Sequence, residues 1–486
     1  MAYNPNKWGP ETTQKSYEFL MEGATCVAVP ISLLEHALTS PSQELSDPVV
    51  APVQSKVRGR IVTVNKTVLA AEQTALTYTL LFPSSFWTPA LQKARNGGLC
   101  YTDFYAKYLC PSDPKFNQAF IYPDSLLDPP VETGDFVTNT TSTEILTEQT
   151  TLHTTKREIL WAVGAVKVAD QTNALNAIAF DQADCVGCSA DVFTGLIAGG
   201  VPTALASPAA QITDDRYASV TAAVTGIPAD SIITDVYSSG DVRLASFSDA
   251  VLATGTVGGV AASFDRGVTW ALDTNITAPM FGVDKFNDTY IAVGGTGVGI
   301  GLIYSSTNGL DWTAVTGAAL AGTSALNRIT VDAKANAFYT GGEAAFFLKG
   351  TLSGGAIALS AITLPGSPGV ISAIGVLGQD HVMVGGAVGY LQESFDGGAS
   401  WTSVAFTSSA AVTGVAGNCW RTVIVAGAKI YERSILTDQA VKVLVPNVTI
   451  TGDYTDLAAA PGDFNYFAAV TDDGEIVFVA PFYPNS

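Results

Sequence analysis

Cys185-Val186-Gly187-Cys188 is the one CxxC pair in this chain, a spacing that suits thiolate chemistry. Two thiolates so placed bind zinc when two more Cys or His ligands stand nearby, or exchange electrons in a βαβ setting. The other cysteines are Cys26, Cys100, Cys110 and Cys419, the histidines His36, His153 and His381 are scattered, and no βαβ pattern surrounds the pair. A local disulfide or a buried turn at a domain junction is therefore the expectation, with no metal and no cofactor. Asp472-Asp473-Gly474-Glu475 carries oxygens suited to calcium, but the same residues make a hairpin turn. Gly294-Gly295-Thr296-Gly297-Val298-Gly299 is rich in glycine, yet no helix follows to complete a phosphate cradle. His381 opens an apolar strand and reads as structural.

A second set of residues repeats. Ser263, Asp265, Gly267 and Trp270 form a Ser-x-Asp-x-Gly-x-x-Trp pattern, and Ser394, Asp396, Gly398 and Trp401 repeat it. Ser305, Thr307, Gly309 and Trp312 give a third version, with Thr307 in the Asp position. Asp and Ser side chains can bond backbone amides and close a hairpin. Gly supplies the strained turn position, and Trp can cover the gap to a neighbouring element. The chemistry expected of these residues is turn closure, not catalysis.

The elements that must carry these turns follow from the spacing. Trp270 and Trp312 are 42 residues apart, and Trp312 and Trp401 are 89 apart, two periods with one motif eroded between them. Apolar runs closing on Gly255, Gly295, Gly342, Gly386 and Gly427 recur at intervals of 40, 47, 44 and 41 residues. Short β-branched runs at this period are the signature of a β-propeller. An earlier repeat through Val192–Gly200 and a last one through Phe467–Val470 and Ile476–Val479 suggest seven blades, with six as the alternative. A strand from the start of the domain would complete the last blade.

These motifs resemble the Asp-box, or BNR, repeat family, which includes sialidases, sortilin-type receptors, photosystem assembly factors and virion proteins. The resemblance covers roughly residues 190–486. It implies that the boxes lie on the outer rim, away from the usual binding face. Sialidase chemistry would require three arginines clamping a carboxylate, a Tyr nucleophile paired with a Glu, and an acidic proton donor. The arginines available are Arg216, Arg243, Arg266, Arg328, Arg421 and Arg433; Arg266 lies inside a box, and no Tyr/Glu pair stands in a recognisable context. A sialidase-like glycosidase is the third reading.

The 486 residues leave about 180 before the propeller. Runs within Val57–Val64, Leu76–Phe82, Leu99–Leu109, Phe116–Tyr122, Asp135–Thr138 and Arg157–Val168 read as strands. Short helices are expected within Glu11–Met21, Ile31–Leu38 and Pro89–Arg95. Asn139–Thr155 is a polar stretch that reads as a surface loop or as an extended hairpin arm. A β-sandwich or small barrel with one or two helices results. This part resembles the tube-forming domains of phage tails, and that resemblance implies hexameric rings stacked around a DNA channel.

Charged residues make up 14% of the chain, against about 25% in ordinary domains, and net charge is −20. Residues 181–486 carry −16 of it and residues 1–180 the remaining −4, so the propeller is ill suited to neutralising phosphates. Few charges mean either surface buried against other subunits or a coat of small neutral residues. No apolar stretch is long enough to span a membrane, and the polar start shows no signal peptide. The expectation is an all-β-dominated protein: residues 1–180 an assembly domain, residues 190–486 an exterior propeller. The function expected is a non-enzymatic virion component, made in the host cytoplasm, most specifically a tail tube subunit. Its partners would be its own copies in rings or a helical polymer, other virion proteins, cell-surface glycans, and DNA only as passing cargo. A glycan- or protein-binding propeller module is the alternative.

Overall fold

A computed structural model describes residues 115–121, 158–167, 174–180, 231–239, 242–248 and, short loop positions excepted, 258–481. Elsewhere it gives strand placement alone. The chain divides into two compact units, 1–162 with 484–486, and 163–483.

In the first unit the strands form one nine-stranded antiparallel sheet and a separate two-stranded pair, Val49–Val57 with Arg60–Ala70. Two expected helices are corrected. Tyr17–Leu20 is a strand paired with Tyr101–Tyr108, and Ile31–Ser32 is a strand paired with it in turn. The run Tyr-Glu-Phe-Leu alternates apolar and polar residues, so it fits a sheet as well as a helix; pairing decides. Pro89–Arg95 and Asp135–Thr138 lie outside the described residues. Thr147–Thr154, within the polar stretch, pairs with Gln73–Leu81 and lies inside the sheet.

The second unit is a β-propeller. Among the described residues, seven four-stranded antiparallel sheets follow one another, six of them with their strands in the order in which the chain makes them. Blades 1 to 6 span 175–223, 231–272, 280–314, 326–361, 373–403 and 412–444. Blade 7 takes its inner three strands from Tyr454–Ala459, Phe467–Thr471 and Glu475–Pro481. Its outermost strand is Val163–Asp170, from the other end of the unit. The propeller therefore starts before residue 180. The strand-like run Arg157–Val168 is split: Glu158–Trp161 pairs in the first unit, while Val163–Asp170 closes the ring. That closure gives blade 7 its fourth strand and ties the two ends of the unit together. Two further bonds hold the closing strand: Asn447 N, outside the sheet, donates to Ala165 O at 3.0 Å, and Lys167 Nζ reaches Glu475 on the paired strand at 2.9 Å.

The second strands are the driest. His381–Gly385, Ala337–Gly342 and Arg421–Ala426 are buried at every residue, being flanked by blades on both faces. Two of the glycines that close such runs are required by space: a Cβ on Gly294 would lie 2.1 Å from Pro279 O, and one on Gly342 would lie 2.0 Å from Ala325 O. The innermost strands share a bulge. In six of them the ladder skips one residue near the strand's start, at Asn176, Thr234, Phe281, Asn327, Thr413 and Thr455. A bulge re-aims the side chain it carries, and here several are aimed at the next blade.

Candidate functional site

The innermost strands of all seven blades line one axial channel with a cavity of about 330 Å³. Its seams are held by side chains reaching from one blade to the next. Asn176 Nδ2 donates to Ile233 O at 3.1 Å, and Thr234 Oγ1 to Met280 O at 2.7 Å. Ser372 Oγ donates to Val412 O at 2.7 Å, Thr413 Oγ1 to Tyr454 O at 2.7 Å, and Thr455 Oγ1 to Leu175 O at 2.6 Å. The last of these fastens blade 7 to blade 1.

Carboxylates work the same seams from the other side. Asp235 accepts Val283 N at 3.0 Å from blade 3, and Asp456 accepts Ile178 N at 2.9 Å from blade 1. Asp284 in blade 3 accepts Lys285 N at 2.7 Å, and the N–H of Val331 in blade 4 favours its charged form. Arg328 then crosses the channel: its Nε donates to Ser372 O at 3.0 Å in blade 5, and its Nη2 to Thr455 O at 2.9 Å in blade 7. Nη1 lies 3.6 Å from Asp456. Small residues stand at the matching position in other blades, Ala177, Gly282, Ala373 and Gly414. Burial pushes Asp235 and Asp284 up to about 7 and raises Asp456 as well.

The repeated Ser/Asp/Trp turns join the third and fourth strands of blades 2, 3 and 5. In blade 2, Ser263 Oγ donates to Asp265 Oδ1 at 2.8 Å and accepts Gly267 N at 2.7 Å. Asp265 Oδ1 accepts Thr269 N at 2.8 Å, and Trp270 Nε1 donates to Gly267 O at 3.0 Å. Blade 5 repeats these bonds through Ser394, Asp396, Gly398, Ser400 and Trp401. The hydrogen bond from the Ser400 hydroxyl is the main force holding the Asp396 carboxyl below the usual range. Gly267, Gly309 and Gly398 all have positive φ, at 86°, 79° and 93°.

The blade 3 turn corrects the residue assignment. Ser306, not Ser305, supplies the hydroxyl, accepting Gly309 N at 2.9 Å. Asn308, not Thr307, takes the Asp role: its Oδ1 accepts Leu310 N and Asp311 N at 2.9 and 2.8 Å. The loop is one residue shorter between the acceptor and the glycine, so counting back from Trp312 misplaces both residues. Trp312 still bonds Gly309 O at 3.0 Å. It packs with Tyr237, Leu244 and Val260 of blade 2 and with Met280 of its own. Trp401 likewise meets Phe347 of blade 4 edge-on at 5.7 Å.

The remaining chemical candidates disperse. Arg421 pairs with Glu432 at 2.8 Å and reaches Asn465 at 3.1 Å. Arg433 and His381 share Glu393, each at 2.7 Å, across the seam of blades 5 and 6. Arg328, Arg421 and Arg433 thus each face their own carboxylate. Arg216, Arg266 and the Cys185–Cys188 pair lie outside the described residues. Asp472-Asp473-Gly474-Glu475 is a turn in blade 7, where Gly474 N bonds Thr471 O and Asp472 accepts Asp453 N. Among the described residues no group of three or more His, Cys, Asp or Glu is placed to hold a metal, and no helix is long and apolar enough to cross a membrane.

Sequence reasoning missed the axial charges. Their signal was present: a single charge inside an apolar strand, directly after Thr in Thr234-Asp235 and Thr455-Asp456.

The fold defines the class: a seven-bladed β-propeller closed by an N-terminal outer strand. Among solved structures, the chain is similar to YCF48 from Cyanidioschyzon merolae, at 15% identity and a TM-score of 0.47, over 65% of this chain and 99% of that one. No family model matches, and no curated protein matches.

Proposed function

We propose that the propeller is a non-catalytic recognition and display module. The observation that carries this reading is the axis. Its charged groups bond neighbouring blades, and Arg328 spans the channel from blade 4 to blades 5 and 7. Binding is left to the rim, at the end where second strands turn into third strands and blades connect. There Val388 is 64% exposed, Ile300 54% and Val370 46%. The turns beneath them are tied: Ala345 N donates to Gly369 O and Ala387 N to Pro368 O, both at 2.8 Å. Rigid apolar turns favour binding because little order is lost on contact. A glycan and protein array probed with the full chain and with Val370→Asp/Val388→Asp tests this. Loss of a bound partner at unchanged melting temperature supports the rim; unaffected binding removes it.

A second reading keeps the fuller form, a self-assembling phage tail tube subunit carrying this module, with its own copies and other virion proteins as partners. Two observations favour it. The chain is poor in charge, and its first unit is a nine-stranded sheet of its own. Negative-stain electron microscopy decides: rings or tubes with peripheral knobs support it, and dispersed particles at every concentration overturn it.

A further inference from the structure

Three carboxyls and one guanidinium face the axial channel: Asp235 from blade 2, Asp284 from blade 3, Asp456 from blade 7 and Arg328 from blade 4. Blades 1, 5 and 6 add no charged group among the described residues that line it. Arg328 can balance one carboxylate, and Asp456 is the near one at 3.6 Å. Charging the other two places uncompensated negative charge between blades, where desolvation penalises it. Asp235 and Asp456 also fasten seams by accepting an N–H from the following blade, and the N–H of Val331 in blade 4 acts on Asp284.

We propose that the propeller axis is a proton-operated fastener. With Asp235 and Asp284 protonated, the seams between blades 2 and 3 and between blades 3 and 4 are held tightly. Proton loss around neutrality sets Asp235 against Asp456 and leaves the Asp284 charge uncompensated between blades, which loosens those seams and the ring closure at Asp456. The titration behaviour agrees. Burial, with Asp456 adding to it and Arg328 opposing, carries Asp235 from 3.8 to about 7, and burial carries Asp284 the same way. A carboxyl whose folded value lies above its unfolded one stabilises fully at low pH. That contribution is lost as pH rises from 3.8 through about 7. The axis thus reports the pH of its surroundings through its own cohesion, on the neutral side of the usual carboxylate range.

The test is thermal unfolding of the full chain at about pH 6 and about pH 8.5, with infrared titration of protonated carboxyls alongside. The expected result is a melting temperature higher at the lower pH by roughly 2–4 °C or more. A protonated-carboxyl band should be present at the lower pH and gone at the higher. The double substitution Asp235→Asn/Asp284→Asn should abolish both the shift and the band, while Glu393→Gln leaves both in place. Equal melting at the two pH values, or no protonated carboxyl in the folded protein at the lower pH, overturns the proposal. If the double variant does not fold, the infrared titration of the unsubstituted protein decides alone.

Discussion

At the residue scale, the turn hydroxyls and carboxylates make bonds that the hairpins need. Asp265→Ala and Asp396→Ala each remove an acceptor for a backbone N–H four residues on. Each should cost about 0.5–2 kcal/mol in thermal unfolding, the usual range for a capping carboxylate. The blade 3 turn gives a sharper test. Asn308→Ala should lower stability by a similar amount, about 1 kcal/mol, while Thr307→Ala should stay within about 0.5 kcal/mol. The reverse order would restore the assignment that counting from Trp312 suggests. Glu393 is a different case. Burial alone would raise its pKa, but hydrogen bonds from His381 and Arg433 outweigh burial and hold it below the usual range. Its contribution is therefore present above the ordinary carboxylate range and lost as pH falls through the lowered folded value. Glu393→Gln should destabilise by about 3–5 kcal/mol at neutral pH and by less in strong acid, as measured by denaturant unfolding.

At the element scale, periodic glycines and apolar runs made the blades legible, because close approach to neighbouring backbone leaves glycine no substitute at Gly294 or Gly342. The completion of the last blade from the start of the domain was legible for a related reason: the end of the repeat supplies only three strands to a blade that needs four. Boxes eroded in sequence were harder to see. Ser434 in blade 6 pairs with Arg421 as Ser263 pairs with Arg243, yet Leu436 stands where the acceptor would be. Its buried hydroxyl finds no hydrogen-bond partner. The axial charges left only a faint trace, an Asp after Thr in an apolar strand, because such an Asp acquires meaning only when the next blade's N–H lies 3 Å away. One turn carries visible strain. Ala344 and Ala345, between the second and third strands of blade 4, have φ of 54° and 63°, a region that favours Asn and Gly. Ala345→Gly should raise stability by up to about 1 kcal/mol, readable as a higher melting temperature. An unchanged or lower value would show that neighbouring contacts favour the methyl group.

At the scale of the whole molecule, opposite pH trends meet. Glu393 and Glu475, both held low, lose their stabilising effect in acid, while Asp235 and Asp284 lose theirs toward neutrality. Stability of the intact chain should therefore peak in mild acid, between those limits, in a melting series against pH. Domain boundaries follow from the ring as well. A protein starting at residue 190 lacks Val163–Asp170 and Leu175–Phe180, the outer strand of blade 7 and the inner strand of blade 1. It should aggregate or melt without cooperativity, whereas one starting at residue 163 should run as a single species in size-exclusion chromatography.

The closing strand also sets a timetable for synthesis. Lys167 leaves the ribosome 308 residues ahead of Glu475, its partner in blade 7. At ordinary elongation rates that is a wait of about 15–60 s. During that interval residues 1–162 are already made, and the strand that will seal the ring lacks its partner strand. Any chain cut short before Glu475–Pro481 keeps that sticky ribbon exposed. Only a chain that has reached Pro481 can hide it, so pairing of the closing strand reports that synthesis has passed blade 7.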